Sequence, residues 1–353
     1  MQQFSEQMFF TADTHISKEL SSYTLPSLKK FVNDVKEAKP KFSVIGGDYF
    51  DKRINADESI YSEGISLLLE LAKYSKYLII INGTYSHDYQ TLNILNTYKE
   101  LTPNIYFINE VEAKTIDGFD FLFLPEVYPE NPNDYYSKFF DGKKYDFIIG
   151  HGDIQGAILH SGIDNRMLKG FKYSPTILSD ISTYSLFGHI HKHQKLKPNV
   201  IFSGSLSRWA YGQEEDKGYL IINNISDIEK INDEFIPIPC TKFSTIEINT
   251  IEEIEKLKDI SDIENIRIAV DSAIKKDVVE ELSLSNIEVN KFKELNVIDE
   301  NEVMYKDLEK LSVSDQFEKI LEEEMKLGKI SKKKYARIKG NVKEVVLKYI
   351  SNS

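Results

Sequence analysis

The feature that most constrains this chain is a short apolar run that ends in two glycines and an aspartate, FSVIGGDYFD at residues 42–51. The β-branched and aromatic residues predict a buried strand, and the glycines predict a turn whose backbone passes close to another group. Asp48 then lies at the carboxyl end of the strand, where open α/β sheets bind their ligands. A plain turn explains the same residues, so the interpretation depends on whether other strands end in the same way.

A second predicted strand, at residues 8–12, leads into Asp13 and His15. These residues stand two positions apart, so in an extended backbone their side chains point the same way and can share one ligand. A surface loop with an incidental aspartate and histidine is the simpler explanation of this pair when it is taken alone.

Two further apolar runs, at residues 77–81 and 145–149, are typical of buried strands. The first leads to His87 and Asp88, which suit either a proton donor held by a carboxylate or a solvated loop. The second leads directly to His151. Strand ends that carry aspartate or histidine therefore recur along the chain.

Three histidines occur within five residues, in the sequence GHIHKH at 188–193. His189 and His191 have the same two-residue separation as Asp13 and His15, and they follow a predicted strand. Histidines this dense are rarely structural, so the segment predicts metal ligation. All seven histidines lie within the first 193 of 353 residues, which favours one histidine-dependent site in the N-terminal region.

Composition limits the chemistry of such a site. Cys240 is the only cysteine, so histidine, carboxylate and neutral oxygen must hold any metal, without a disulfide or a thiolate cluster. The net charge of −12 argues against coating of nucleic acid by bulk electrostatics, but it does not exclude a nuclease, because bound cations supply local positive charge. No apolar run reaches the ~18 residues of a membrane span and the start lacks a signal sequence, which predicts a cytoplasmic, unprocessed protein without a membrane partner.

The order of predicted elements indicates the fold class and the domains. Strands alternate with helices, the latter at residues 25–35 and 58–73, and later strands follow one another closely. This order predicts an α/β body of layered mixed β-sheets flanked by helices over residues 1–240. The pattern restarts as strand, helix, strand, helix, which predicts a small α+β domain at 241–298. The charged segment 299–353 predicts amphipathic helices that dock on their own chain or bind a partner protein.

The strand-end groups form one set of nitrogen and carboxylate donors, with His87 beside them: Asp13, His15, Asp48, His151, His189 and His191. Six donors are too many for one tetrahedral zinc but suit two metals if Asp48 bridges them. Sulfur-free donors suit manganese, iron, zinc or magnesium. Two metals about 3.5–4 Å apart clamp a phosphate and lower the pKa of a water, so the predicted chemistry is phosphoester hydrolysis with His87 as proton donor.

In order, these segments resemble the five motifs of calcineurin-like metallophosphoesterases: residues 13–15, 47–51, 83–88, 150–151 and 188–191. The Gly-Asp-x-Phe-Asp form of the second motif is more similar to the DNA-repair nuclease branch, which includes SbcD, Mre-type nucleases and phage recombination endonuclease subunits. The segments at 204–205 and 217–218 share this similarity. Beyond residue 240 the resemblance is one of pattern only, to that branch's capping domain at 241–298 and its helical ATPase-binding segment at 299–353.

The resemblance implies a site for two divalent metals, usually manganese, with magnesium as the alternative. One metal would be held by Asp13, His15, Asp48 and His191, and the other by Asp48, His151 and His189. His87 would act on the scissile phosphate, with Asp88 beside it. The third motif departs from the family's Gly-Asn-His-Asp, because two extra residues place Ser86 where the family has its asparagine ligand; Asn82 or water are the alternatives.

The resemblance also implies exonuclease and endonuclease cleavage of DNA by the nuclease subunit of an SbcCD-like complex for DNA end processing and recombination. Its partners would be DNA, an SbcC-type ATPase and a second copy in a homodimer, in a bacterial cell or a phage-infected host. His193 matches no motif and is predicted to contact phosphate. The alternatives are a phosphodiesterase or phosphatase for small or protein substrates, which the long segment after residue 240 disfavours, and a scaffold whose altered third motif weakens catalysis.

Overall fold

The computed structural model describes most of the first 257 residues and three later segments: residues 3–55, 58–88, 91–97, 102–159, 164–167, 169–257, 265–271, 274–284 and 291–295. The helices predicted for 299–353 lie outside the described residues. Among the helices that are described, none is both long enough and apolar enough to cross a membrane.

The chain divides into two compact units, the first made of Met1–Ile246 with Ile260–Arg267 and the second of Glu247–Asp259 with Ile268–Ser353. The capping and ATPase-binding roles expected beyond residue 240 stay predictions. The two large sheets that position the candidate site both belong to the first unit.

The described residues form six α-helices, two 3₁₀ helices and fifteen strands. The α-helices are α1 (Ser21–Ala38), α2 (Ser59–Tyr74), α3 (Ile94–Thr97), α4 (Pro132–Phe140), α5 (Pro175–Ile181) and α6 (Lys275–Leu284). The 3₁₀ helices span Asn165–Met167 and Ile251–Leu257. The strands are β1 (Ser5–Thr11), β2 (Pro40–Ile45), β3 (Tyr77–Ile81), β4 (Ile105–Ile108), β5 (Glu112–Ile116), β6 (Phe119–Leu124), β7 (Tyr145–His151), β8 (Ser182–Gly188), β9 (Gln194–Lys197), β10 (Val200–Phe202), β11 (Gly218–Asn223), β12 (Asn232–Pro237), β13 (Phe243–Ile248), β14 (Asn265–Asp271) and β15 (Lys291–Leu295).

Two six-stranded mixed sheets form the body of the first unit. The first has the order β12-β11-β1-β2-β3-β4, with parallel pairing from β1 to β4 and antiparallel pairing of β11 and β12. The second has the order β5-β6-β7-β8-β10-β9, with parallel pairing from β6 to β10 and an antiparallel strand at each edge. A smaller sheet has the order β13-β14-β15.

The two large sheets pack face to face, and successive side chains of their strands alternate between the inner and the outer faces. Phe10 packs in the cluster between the sheets, while its neighbour Phe9 packs under the helices on the outer face. In the second sheet Phe121 and Phe123 point toward the first sheet, and Leu122 points to the opposite face. Successive strand residues face opposite sides of a sheet, so both faces of each sheet are apolar and both must be covered.

Helices cover the two outer faces and complete the layers. The first sheet is covered by α1 and α2, through residues such as Phe31 and Leu68. The second is covered by α4 and α5, through Tyr136 and Leu178. The predicted α/β body of layered mixed β-sheets flanked by helices is therefore confirmed.

Candidate metal centre

Polar side chains gather where six parallel strands end, three from each large sheet. In the first sheet they follow β1, β2 and β3, and in the second they follow or end β6, β7 and β8. Parallel neighbours present their carboxyl ends at the same edge, so residues distant in sequence meet there. The residues gathered at this edge are Asp13, His15, Asp48, His87, Glu126, His151, His189 and His191.

The backbone at this edge is strained. Asp13, His15, Asp48 and His189 have φ angles of 52°, 45°, 50° and 90°, and they make up four of the seven non-glycine residues with positive φ in the described part of the chain. The left-handed region costs free energy for a residue with a Cβ, and such strain concentrates at functional sites. All four are residues that the sequence predicts as metal ligands.

Asp48 lies at the centre of the cluster. Its Oδ2 atom is 2.8 Å from His87 Nδ1, 3.3 Å from His151 Nε2 and 3.9 Å from His15 Nε2. It belongs both to a group with His15 and His87 and to a group with Asp13 and His151, each with its ligand atoms within 4.8 Å of one another. A single carboxylate is therefore shared by two sets of donors.

The first set of donors combines Asp13, His15 and His191. The Nε2 atoms of the two histidines are 3.1 Å apart, and His191 Nε2 lies 3.8 Å from Asp13 Oδ1. Two contacts fix His191 on the side away from the cluster. Gln213 lies 3.1 Å from the ring Nδ1, and the buried Lys217 ammonium donates a hydrogen bond to the backbone carbonyl at 2.7 Å. Loops distant in sequence thus fix the orientation of this imidazole.

The second set combines His151 and His189 with Glu126, which the sequence reasoning missed. One oxygen of Glu126 lies 3.9 Å from His151 Nε2 and 3.8 Å from His189 Nδ1. Glu126 follows the end of β6 by two residues, so it obeys the same strand-end rule as the predicted ligands. A glutamate just beyond a strand end is therefore the sequence signal for this ligand.

Three buried imidazole nitrogens make no hydrogen bond within the described part of the chain: His15 Nδ1, His87 Nδ1 and His151 Nε2. Carboxylate oxygens nevertheless lie 3.4, 2.8 and 3.3 Å from them. His87 Nδ1 and His151 Nε2 both face Asp48, as ligands around a shared cation would, whereas His15 Nδ1 faces Asp51, outside the four donor groups. The sulfur-free set of imidazoles and carboxylates is compatible with divalent metal binding.

His151 shows how the fold selects the nitrogen that faces the cluster. Its Nδ1 lies 2.8 Å from the carbonyl oxygen of Gly46, to which it donates a hydrogen bond, and this leaves Nε2 directed at Asp48. Such a backbone partner fixes the tautomer and the ring orientation of a metal-binding histidine.

Burial and charge move the pKa values of the cluster apart. Burial lowers the pKa of His191 well below its usual value, and the neighbouring His15 adds to this effect. Burial alone would also lower the pKa of His151, but the charge of Asp48 outweighs it and raises the pKa to about 10. Burial opposes ionisation of Asp48, yet the charge of His151 holds its pKa well below the usual range. Opposed shifts of this kind are common in functional clusters.

The remaining predicted site residues have different surroundings. Ser86 is exposed on its turn, and the hydroxyl that donates to Asp48 belongs to Thr84, two residues earlier. Asp88 is fully buried and accepts backbone hydrogen bonds from Tyr49, Phe50 and Gly83 at 2.9–3.2 Å, which ties the Asp48 loop to the His87 loop. Burial raises the pKa of Asp88 to about 6.

His193 is engaged in packing. Its ring stacks on Phe235 with the centroids 4.1 Å apart, and its Nδ1 donates to the carbonyl of Phe202 at 2.9 Å. It lies outside the four donor groups found among the described residues, and its predicted contact with phosphate stays a prediction.

The layered sheets and the shared carboxylate define a class: an α/β protein with a buried histidine and carboxylate cluster, compatible with divalent metal binding, at the carboxyl edge of its strands. No protein-family model matches the chain.

Two curated viral proteins are similar to part of the chain. "Putative phosphoesterase 244L" of Invertebrate iridescent virus 6 is 25% identical over 187 residues, which are 51% of this chain and 62% of the viral protein. "Putative phosphoesterase 078R" of Invertebrate iridescent virus 3 is 21% identical over 235 residues, 65% of this chain and 63% of that protein. The chain thus spans about three fifths of the length of the curated relatives it matches.

Among solved structures, protein TT1561 of Thermus thermophilus aligns with 65% of this chain and 99% of its own length, with a TM-score of 0.42 and 14% sequence identity. Because this similarity is low, the fold assignment rests on the sheets and layers described above. Both viral proteins that are similar to this chain are described as putative phosphoesterases.

Proposed function

We propose that the chain is a metal-dependent nuclease that hydrolyses phosphodiester bonds in DNA by a two-metal mechanism. The observation that carries the proposal is the position of Asp48, whose carboxylate belongs at once to a group with His15 and His87 and to a group with Asp13 and His151. Two cations that share one carboxylate are the arrangement that phosphoryl-transfer enzymes use.

In the proposed reaction, Asp48 is the residue that would hold both cations. When bound, two divalent cations, most often manganese in the resembling family, would hold the phosphate and activate a water for attack on phosphorus. Asp48 is fixed for this role, because Thr84 donates to it from its backbone nitrogen at 2.6 Å and from its hydroxyl at 3.2 Å. The ligand frame is therefore formed before substrate arrives.

His87 is the proton donor in this proposal. Burial would lower its pKa, but Asp48 and two further carboxylates outweigh burial and raise it above the usual value. About a quarter of the side chain is exposed, so a substrate can reach the ring. A protonated His87 can pass its proton to the leaving oxygen or stabilise charge on the phosphate.

DNA as the substrate is supported by the motif forms of the nuclease branch. The segments at 204–205 and 217–218 carry part of that resemblance, and both contact one carbonyl group: Ser205 donates its backbone N–H to the His191 oxygen at 3.1 Å, and Lys217 donates to the same oxygen at 2.7 Å. Trp209 borders the rings of His15 and His191 at centroid distances of 5.0 and 5.2 Å. An aromatic side chain beside the site suits an unstacked base.

A small phosphodiester is the second candidate, and one observation favours it. A cavity of about 230 Å³ adjoins the second set of donors and is lined by Glu126, His151 and His189 together with Tyr128 and Tyr173. A cavity of this size accommodates a small ester directly.

The test is hydrolysis by the full chain with manganese, using linear duplex DNA beside bis(p-nitrophenyl) phosphate. We expect cleavage of DNA that EDTA abolishes and that His87→Asn slows by about 10²–10⁴-fold, the usual contribution of a general acid. His193→Gln, which removes an imidazole outside the four donor groups, tests separately the predicted contact of His193 with phosphate. Hydrolysis of the small ester alone would overturn the nuclease proposal.

The proposed setting is a DNA end-processing complex in which the chain forms a homodimer and binds an SbcC-type ATPase. Support comes from the resemblance of residues 241–353 to the capping domain and ATPase-binding helices of that branch. Sedimentation of the full chain would measure the dimer, and a monomer at micromolar concentration would contradict it.

A further inference from the structure

The third motif of this chain lacks the asparagine that the resembling family uses as a ligand, and Glu126 lies beside the two histidines predicted for the same metal. Resting on the two-metal function proposed above, we propose that Glu126 supplies the missing oxygen ligand of the second cation. The second site would then consist of Asp48, His151, His189 and Glu126. A carboxylate would replace an amide, and the site would carry one more negative charge.

The contacts of Glu126 orient its carboxylate as a metal ligand. Its Oε2 atom faces His151 Nε2 at 3.9 Å and His189 Nδ1 at 3.8 Å, and these three residues form one donor group within 4.8 Å. Its other oxygen accepts a hydrogen bond from Tyr128 at 2.5 Å. One oxygen is thus fixed from outside, while the other is directed at the two imidazoles.

His151 provides an independent observation that points to a cation. Its side chain has no exposed surface, its Nε2 makes no hydrogen bond within the described residues, and its Nδ1 is engaged by the Gly46 carbonyl. A buried nitrogen in this state requires a partner. The carboxylates of Glu126 and Asp48 lie 3.9 and 3.3 Å from it, too far or too poorly directed to bond it but well placed to share a cation.

Thr84 couples Glu126 to the shared carboxylate. Its hydroxyl lies 2.9 Å from Glu126 Oε2 and 3.2 Å from Asp48 Oδ2. The third motif of this chain thus places a threonine hydroxyl between the two carboxylates. Ser86 is exposed on the same turn.

Manganese bound per full-length chain, measured by equilibrium dialysis with elemental analysis, tests the proposal without any assay of activity. We expect two manganese ions in the wild type. Glu126→Ala should weaken the second ion by at least about tenfold, the lower end of the effect of changes around metal ligands. Glu126→Gln keeps a neutral oxygen, so its affinity for the second ion should lie between those of the wild type and Glu126→Ala.

Ser86→Ala is the matched control, because it removes an exposed side chain that the motif places in the asparagine position. Asn82→Ala tests the alternative ligand, whose Oδ1 atom is buried and makes no hydrogen bond within the described residues. Both should bind two ions as the wild type does, and circular dichroism in EDTA should show that all variants are folded. The proposal would be overturned if Glu126→Ala bound two ions with wild-type affinity. It would also be overturned if Ser86→Ala or Asn82→Ala lost the second ion while Glu126→Ala kept it. If the manganese counts are as expected but the chain does not cleave DNA, the nuclease proposal is overturned and the assignment of Glu126 stands.

Discussion

At the scale of single residues, the site could be predicted because its ligands follow strands. Asp13, Asp48 and His151 each come at the end of a buried apolar run, and the structure brings all three within one donor group. Glu126 follows β6 in the same way, but a lone glutamate after a strand is too common to indicate a ligand by itself, without the Thr84 contact that the fold supplies. Positions set by tertiary contacts of this kind leave little trace in a local sequence pattern.

His151 should make the stability of the metal-free chain depend on pH. Its pKa is about 10 in the folded chain, against an ordinary value of 6.5, so folding is favoured by binding of the proton. This stabilisation is complete below pH 6.5 and is lost as the pH rises through 10. In EDTA, the difference in Tm between the wild type and His151→Gln should shrink across this range. A constant difference would contradict the charged, buried imidazole.

At the scale of elements, buried strands and long helices were predicted well, and short elements were not. The predicted helix at 25–35 lies within α1, the helix at 58–73 matches α2 to within one residue at each end, and the run at 77–81 is β3 itself. Helices α4 and α5 have nine and seven residues, too few for a helical period to be recognised. In the small domain predicted at 241–298, the first of the two predicted helices is a 3₁₀ helix, Ile251–Leu257, instead.

The turn after β3 should tolerate no side chain at Gly83. A Cβ there would lie 2.1 Å from Asp48 Oδ1 and 2.2 Å from the Asp48 backbone nitrogen, so the shared carboxylate would have to move. We expect Gly83→Ala to lower the free energy of unfolding by about 1–3 kcal/mol, as overpacking does, and to weaken manganese binding. Chemical denaturation and dialysis measure the two effects. Ser86→Ala, on the exposed side of the same turn, should change neither.

At the scale of the whole molecule, the edge that holds the cluster exists because two sheets pack together. Phe121 and Phe123 stack at a centroid distance of 5.4 Å inside the cluster between the sheets, and both are fully buried. The order of elements predicted the layers, but not which strands would be neighbours. Strand order is decided by contacts between distant segments, such as the pairing of β1 with β11.

Phe123→Ala should therefore destabilise the body as a unit. Removal of a buried phenylalanine leaves a cavity and typically costs about 3–5 kcal/mol of unfolding free energy. Urea denaturation followed by circular dichroism measures the loss. Ile228→Ala, at a side chain that is 75% exposed, should change the free energy by less than about 0.5 kcal/mol. Equal effects of the two substitutions would contradict the packing of the sheets.

Electron paramagnetic resonance of the full chain loaded with two manganese ions tests most directly whether one carboxylate serves both cations. With Asp48 shared between the two donor groups, the ions should be exchange-coupled and give a multiline spectrum. Asp48→Ala should abolish the coupling. Two uncoupled six-line signals in the wild type would show that the cations do not share Asp48 and would contradict the two-metal site.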